Sequence, residues 1–231
     1  LIQKSVRIAT AARDEFWADA SNHADRSKPF VAASVGPYGA FLANGEEYVG
    51  NYGLSETELM DFHRGRMKAL VEAGAEMLAC ETIPALIEAQ AIVKLLDEFP
   101  NVAAWLSFSA RDEKHISEGQ SFADCVRLLE EHPQVAALGI NCASPKYLPS
   151  LIREAKQHTN KPILVYPNLG EGYDATKNDW DGQAAVESFG EEARVWRAAG
   201  ARLIGGCCRT TPEDIRVIAG WARGVSDTLG N

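Results

Sequence analysis

No apolar run in these 231 residues approaches the roughly eighteen needed for a transmembrane helix, so no membrane span is expected within them. Basic charge is also scarce. Lys and Arg number 23 against 32 Asp and Glu, for a formal net charge of −9. A nucleic-acid surface requires a basic stripe, so no nucleic-acid partner is expected. The opening LIQKSVRIATAARDEFW lacks the apolar core and cleavage site of a signal peptide, and it lacks an initiator Met, so Leu1 reads as other than the natural start. There is no G-x-G-x-x-G and no C-x-x-C. Cysteine is sparse and odd in number: Cys80, Cys125, Cys142, Cys207 and Cys208. That count does not make a disulfide framework. A reducing cytoplasm is the expected setting, with any special cysteine there for metal or catalysis.

Apolar residues make up 46% of the chain and charged residues 24%, as in ordinary globular proteins. Short β-branched or apolar runs alternate with helical patterns. The strand candidates are 30–36, 76–81, 102–109, 135–141, 163–168 and 201–206. Ser55 and Glu58 predict a capping box ahead of Leu59, Phe62, Met67, Leu70 and Val71. Thr211 as N-cap and Pro212 at the first helical position predict the last helix. The repeated AGA at 73–75 and 199–201 predicts a glycine C-cap leading into a strand.

Six strands, each followed by a helix and with no linker between them, imply a single parallel α/β domain over residues 1–231. With no phosphate-binding glycine loop after the first strand, a Rossmann sheet is the weaker reading. Polar residues gather instead at strand ends: Glu81, Ser107, Asn141, Asn168 and Cys207. A (β/α)8 barrel collects its active site from that rim. Residues 1–26 read as a helix that should follow an earlier strand. The expectation is a TIM barrel with six β/α units present and its first two strands lacking in this chain.

Cys142 directly follows one predicted strand, and Cys207–Cys208 follow another, behind Gly205 and Gly206. Both positions fall on the catalytic rim, two strands apart. Three thiolates converging on one point suggest Zn²⁺, and three protein ligands leave a position open, as in a catalytic site. The helix beginning near Pro212 is expected to favour the thiolates. Cys80 and Cys125 are read as small buried hydrophobes. His63 and His132 are read as surface groups in helical stretches, and His115 as a loop histidine.

The segments SVGPYGAFLANGEEY (34–48), LACETIP (78–84), ALGINC (137–142), YPNLGEGYD (166–174) and ARLIGGCCRTTPEDI (201–215) span almost the whole chain. Together they resemble the homocysteine S-methyltransferase family, most closely its S-methylmethionine-using branch. The resemblance implies zinc held by Cys142, Cys207 and Cys208 and homocysteine bound with the help of Glu81; Asn141 and Asn168 are further candidates for the substrate rim. It implies transfer of a methyl group from a sulfonium donor, S-methylmethionine or S-adenosylmethionine, to the homocysteine thiol, giving methionine. The alternative is a zinc or thiol-amino-acid binding protein without turnover, built on the same barrel.

Overall fold

Ser55 and Glu58 form the predicted capping box. Ser55 Oγ accepts the Glu58 N–H at 3.3 Å, and Glu58 Oε2 accepts the Ser55 N–H at 2.8 Å, which starts helix α3 (Glu56–Glu72). The last helix begins at Pro212, directly after Thr211, as expected. Asp214 Oδ2 accepts from both the N–H and the hydroxyl of Thr211, each at 2.8 Å. Gly74 (φ +89°) and Gly200 (φ +129°) end their helices in the left-handed region that residues with a Cβ rarely enter.

The computed structural model describes residues 1–24, 26–170, 172–174, 179–182 and 188–222. The chain runs from α1 (Ile2–Ala18) through a helical turn at Ala20–His23 to β1 (Ala32–Val35) and α2 (Tyr38–Leu42). A second turn, Glu46–Tyr48, leads to α3. Then come β2 (Met77–Ile83), α4 (Leu86–Leu96), β3 (Ala103–Phe108), α5 (Phe122–Glu130), β4 (Val135–Asn141), α6 (Leu148–Lys156) and β5 (Ile163–Tyr166). A small antiparallel pair, β6 (Gly172–Asp174) and β7 (Asp179–Asp181), precedes α7 (Phe189–Ala199), β8 (Leu203–Ile204) and α8 (Pro212–Ala222).

Six strands make one parallel sheet in the order β1-β2-β3-β4-β5-β8, so β1 and β8 are its edges. This is the six-unit portion of a TIM barrel, with helices on the convex face. All six predicted strands are present. β8 is shorter than the 201–206 run, yet its neighbours still follow β5: Arg202 N–H donates to Ile163 O at 2.9 Å and Gly205 N–H to Val165 O at 2.9 Å. The β6–β7 pair was not legible as strands, since its GYD and DWD segments are three residues each.

Alternation along the strands sorts the two faces. Leu78, Cys80, Leu106, Phe108, Leu138, Ile140 and Val165 are buried with Met67, Leu70, Ile92, Phe122, Val126, Leu151 and Trp196 of the helices. Each such aliphatic side chain contributes about 1.5–3 kcal/mol by leaving water. Cys80 and Cys125 belong to this core, as expected. Burial pushes the Cys80 thiol up to about 12, so it is inert near neutral pH.

Two histidine expectations fail. His63 lies on α3 but is fully buried, because the helix presents it to Glu88 of α4 rather than to water. His132 follows α5 rather than lying in it, and its side chain is only 13% exposed beside Asp97, at 3.4 Å. No described helix is long and apolar enough to cross a membrane.

Candidate metal centre and substrate rim

The opposite, concave face carries the polar residues. Strand β4 ends at Asn141, and Cys142 follows with φ +46°. Thr82, next to Glu81, has φ +62°, and Arg209, next to Cys208, has φ +70°. Left-handed backbone at residues with a Cβ costs energy and clusters where a site over-determines the chain. Here it recurs beside three of the candidate residues.

Strand β5 and its continuation hold both cysteine segments. The Cys142 N–H donates to Tyr166 O at 3.2 Å, and the Cys207 N–H donates to Pro167 O at 2.8 Å. Beyond Cys207 the chain turns: Thr210 N–H donates to Cys207 O at 3.3 Å, as does Thr210 Oγ1 at 2.7 Å. A Cβ on Gly206 would lie 2.4 Å from Thr210 Oγ1, so this turn requires glycine there. Leaving the strand lets two neighbouring cysteines serve one point, which strand alternation alone forbids.

The three sulfurs lie within 4.8 Å of one another. Cys208 Sγ is 3.8 Å from Cys142 Sγ and 3.9 Å from Cys207 Sγ. Cys142 and Cys207 are paired as a disulfide, with Cα atoms 5.7 Å apart, a pairing not anticipated from sequence. A tetrahedral ion bound by sulfur at ~2.3 Å sets its ligands about 3.8 Å apart, so both Cys208 distances fit such an ion. Soft thiolate donors suit zinc, once the Cys142–Cys207 pair is reduced.

The electrostatics differ from expectation at one position. The Cys208 thiol is raised, not lowered: burial is the largest cause and outweighs a backbone hydrogen bond that favours the thiolate, with the Glu47 charge adding to burial and a hydrogen bond with Tyr48 opposing it. His115 pairs with Asp112 at 2.9 Å in the loop after β3 and is not among the clustered sulfurs.

Glu81 lies near the end of β2, held by two hydroxyls on the rim. Its Oε1 accepts from Ser34 Oγ at 2.6 Å and its Oε2 from the Tyr166 hydroxyl at 2.9 Å. Ser107 Oγ lies 2.7 Å from that hydroxyl and donates to Asn141 Oδ1 at 2.8 Å. Asn141 Oδ1 also accepts the Thr82 N–H at 2.7 Å, and Asn141 Nδ2 donates to Thr82 Oγ1 at 2.7 Å. Burial first, and then the Glu81 charge, raise the Tyr166 hydroxyl, so it stays protonated and able to donate. Asn168 is buried and accepts the Gly170 N–H at 3.1 Å, closing its own loop. Glu171 of the same motif lies outside the described residues.

Ser34, Ser107 and Tyr166 complete this rim. Ser107 is readable from sequence as a strand-end polar residue, whereas nothing local singles out Ser34 or Tyr166. Strand alternation from Glu81 and Asn141 through the neighbouring registers was the signal that could have found them.

A parallel β/α barrel sheet whose C-terminal rim gathers three cysteines and a hydroxyl-bound carboxylate defines a barrel protein with a thiol-based centre. The match to known proteins narrows this. The homocysteine S-methyltransferase family model matches residues 1–222, and the chain belongs to that family of enzymes. It is similar to the homocysteine S-methyltransferase YbgG of Bacillus subtilis (strain 168), with 60% identity over 99% of this chain and 72% of that protein. It is also similar to the homocysteine S-methyltransferase of Escherichia coli (strain K12), with 45% identity over 94% of this chain and 70% of that one. Among solved structures, the oxidized form of the homocysteine methyltransferase MmuM from Escherichia coli superposes with a TM-score of 0.83 at 43% identity, covering 95% of this chain and 70% of that one. Its metallated form gives 0.82 at 42% identity, covering 95% and 69%.

Proposed function

We propose that this protein transfers a methyl group from a sulfonium donor, S-methylmethionine or S-adenosylmethionine, to the thiol of homocysteine in a zinc-dependent reaction that yields methionine. The observation that carries this reading is the gathering of three cysteine sulfurs within 4.8 Å on the same rim as Glu81. Cys142, Cys207 and Cys208 would hold the zinc. When bound, zinc supplies the positive charge that keeps a substrate thiol ionised at neutral pH. Glu81 takes the ammonium of homocysteine. Its carboxylate is held by two hydroxyls, and among the described residues it has no cationic partner, so it is ready to accept one in a charge-assisted hydrogen bond. Asn141 and Asn168 shape the substrate rim through the backbone they bind, at Thr82 and Gly170. Transfer breaks the donor's methyl–sulfur bond and no C–H bond, so no side chain is required as a base at the methyl group; the homocysteine thiol would release its proton to solvent on binding at the three cysteines.

A second reading is a zinc or thiol-amino-acid binding protein without turnover, built on the same three cysteines in their reduced form. One experiment separates the two. The reduced protein, loaded with zinc, is incubated with homocysteine and S-methylmethionine, and methionine is measured. Product formation supports the methyltransferase. Binding of zinc and homocysteine with no product supports the binding protein.

A further inference from the structure

Tyr166 touches both halves of the proposed site. Its carbonyl accepts the Cys142 N–H at 3.2 Å, and its hydroxyl donates to Glu81 Oε2 at 2.9 Å. That hydroxyl is itself pinned. Trp105 Nε1 donates to it at 3.0 Å, and Ser107 Oγ packs 2.7 Å away. The Trp105 and Tyr166 rings meet edge to face, with centroids 6.5 Å apart. One residue therefore links the carboxylate on β2, through its hydroxyl, to the cysteine segment after β4, through its backbone carbonyl.

We propose that Tyr166 is a positioning residue that selects the length of the thiol amino acid. The inference rests on the functional reading above. A substrate anchored by its ammonium at Glu81 and by its sulfur at the cysteine centre must span the two anchors. If the span is rigid, a thiol amino acid with two methylenes between Cα and sulfur fits, and cysteine, with one, falls short. A single methylene is worth about 10–200-fold in discrimination when the site cannot adjust. Tyr166 supplies the rigidity. Without its hydroxyl, Glu81 keeps only Ser34 among the described residues, and its carboxylate is free to swing toward a shorter substrate.

The test is competition between homocysteine and cysteine for a limiting supply of S-methylmethionine, using reduced, zinc-loaded protein. The ratio of methionine to S-methylcysteine gives the ratio of kcat/KM values. In Tyr166→Phe this ratio is expected to fall at least about 5-fold. The KM for homocysteine should rise about 10-fold, the loss of one hydrogen bond to a charged group. Zinc content and kcat should change far less. A purely structural role would lower stability or kcat and leave the ratio alone. Trp105→Phe, which removes the N–H that pins the hydroxyl, should move the ratio in the same direction and serves if the Tyr166 variant does not fold. Wild-type protein that makes no methionine would overturn the functional reading itself. An active wild type with an unchanged product ratio in the folded variants would overturn this inference alone.

Discussion

Glu88 Oε1 lies 2.8 Å from His63 Nε2, with both side chains fully buried, and the same oxygen accepts the Tyr38 N–H at 2.7 Å. Arg66 Nη2 extends the cluster, 2.8 Å from His63 Nδ1 and donating to Gly36 O at 2.6 Å. The pair thus fastens α3 and α4 to the segment that leaves β1. Removing one partner strands the other in the interior, which costs about 3–5 kcal/mol. His63→Ala should lose that much in urea unfolding; a loss under about 1 kcal/mol would contradict the buried pairing.

Serine at Cys142, Cys207 or Cys208 should strip the metal and abolish transfer, from about one zinc per chain in the reduced wild type. Cys125→Ser should keep both, because that side chain packs inside α5 away from the rim. Atomic absorption on the four variants checks this. Undiminished zinc in Cys207→Ser would sink the ligand assignment.

Glu81→Gln keeps the shape and both hydroxyl neighbours but loses the charge. The KM for homocysteine should rise about 10-fold or more, while zinc stays bound. The opposite pattern, lost zinc with normal homocysteine binding, would place Glu81 at the metal instead.

Gly139 allows β4 to approach β5. A Cβ there would lie 1.7 Å from Leu164 O, a contact that only a backbone shift relieves. Gly139→Ala should cost more than about 2 kcal/mol or yield no soluble protein. Unchanged thermal stability would show that the two strands tolerate separation.

Glu76 docks the first helix. It accepts the Val31 N–H at 2.8 Å and binds Arg13 through both oxygens at 2.9 Å. These contacts, the Val31 N–H most of all, lower its carboxyl below the ordinary value of 4.5. A lowered folded value means stability that is present above about pH 4.5 and lost as pH falls through the lowered value. Acid titration followed by circular dichroism should show this component in wild type, and Glu76→Gln should lack it.

Much of the molecule is legible locally. The Ser55–Glu58 capping box, the glycine caps at 74 and 200, the start at Pro212 and all six sheet strands depend on contacts within a few residues, and simple periodicity and chemistry predict them. The cysteine segments were readable because Gly205, Gly206, Cys207 and Cys208 break strand alternation in sequence itself. By contrast, β6 and β7 are each too short to show a period.

The sequence by itself determined the order of the six sheet strands, the barrel class and which three cysteines follow strand ends. Only the tertiary structure decided that His63 is inside, since the same helix period permits an outward or an inward histidine until α4 brings Glu88 against it. It alone paired Cys142 with Cys207, 65 residues apart, and let burial rather than a helix end govern the Cys208 thiol. It alone hydrogen-bonded Ser34 and Tyr166 to Glu81, bonded Ser107 to Asn141, and set the Ser107 and Tyr166 hydroxyls 2.7 Å apart. These residues come from five strands. Their meeting depends on sheet register, which is set by the packing of distant segments and leaves no local trace in the sequence.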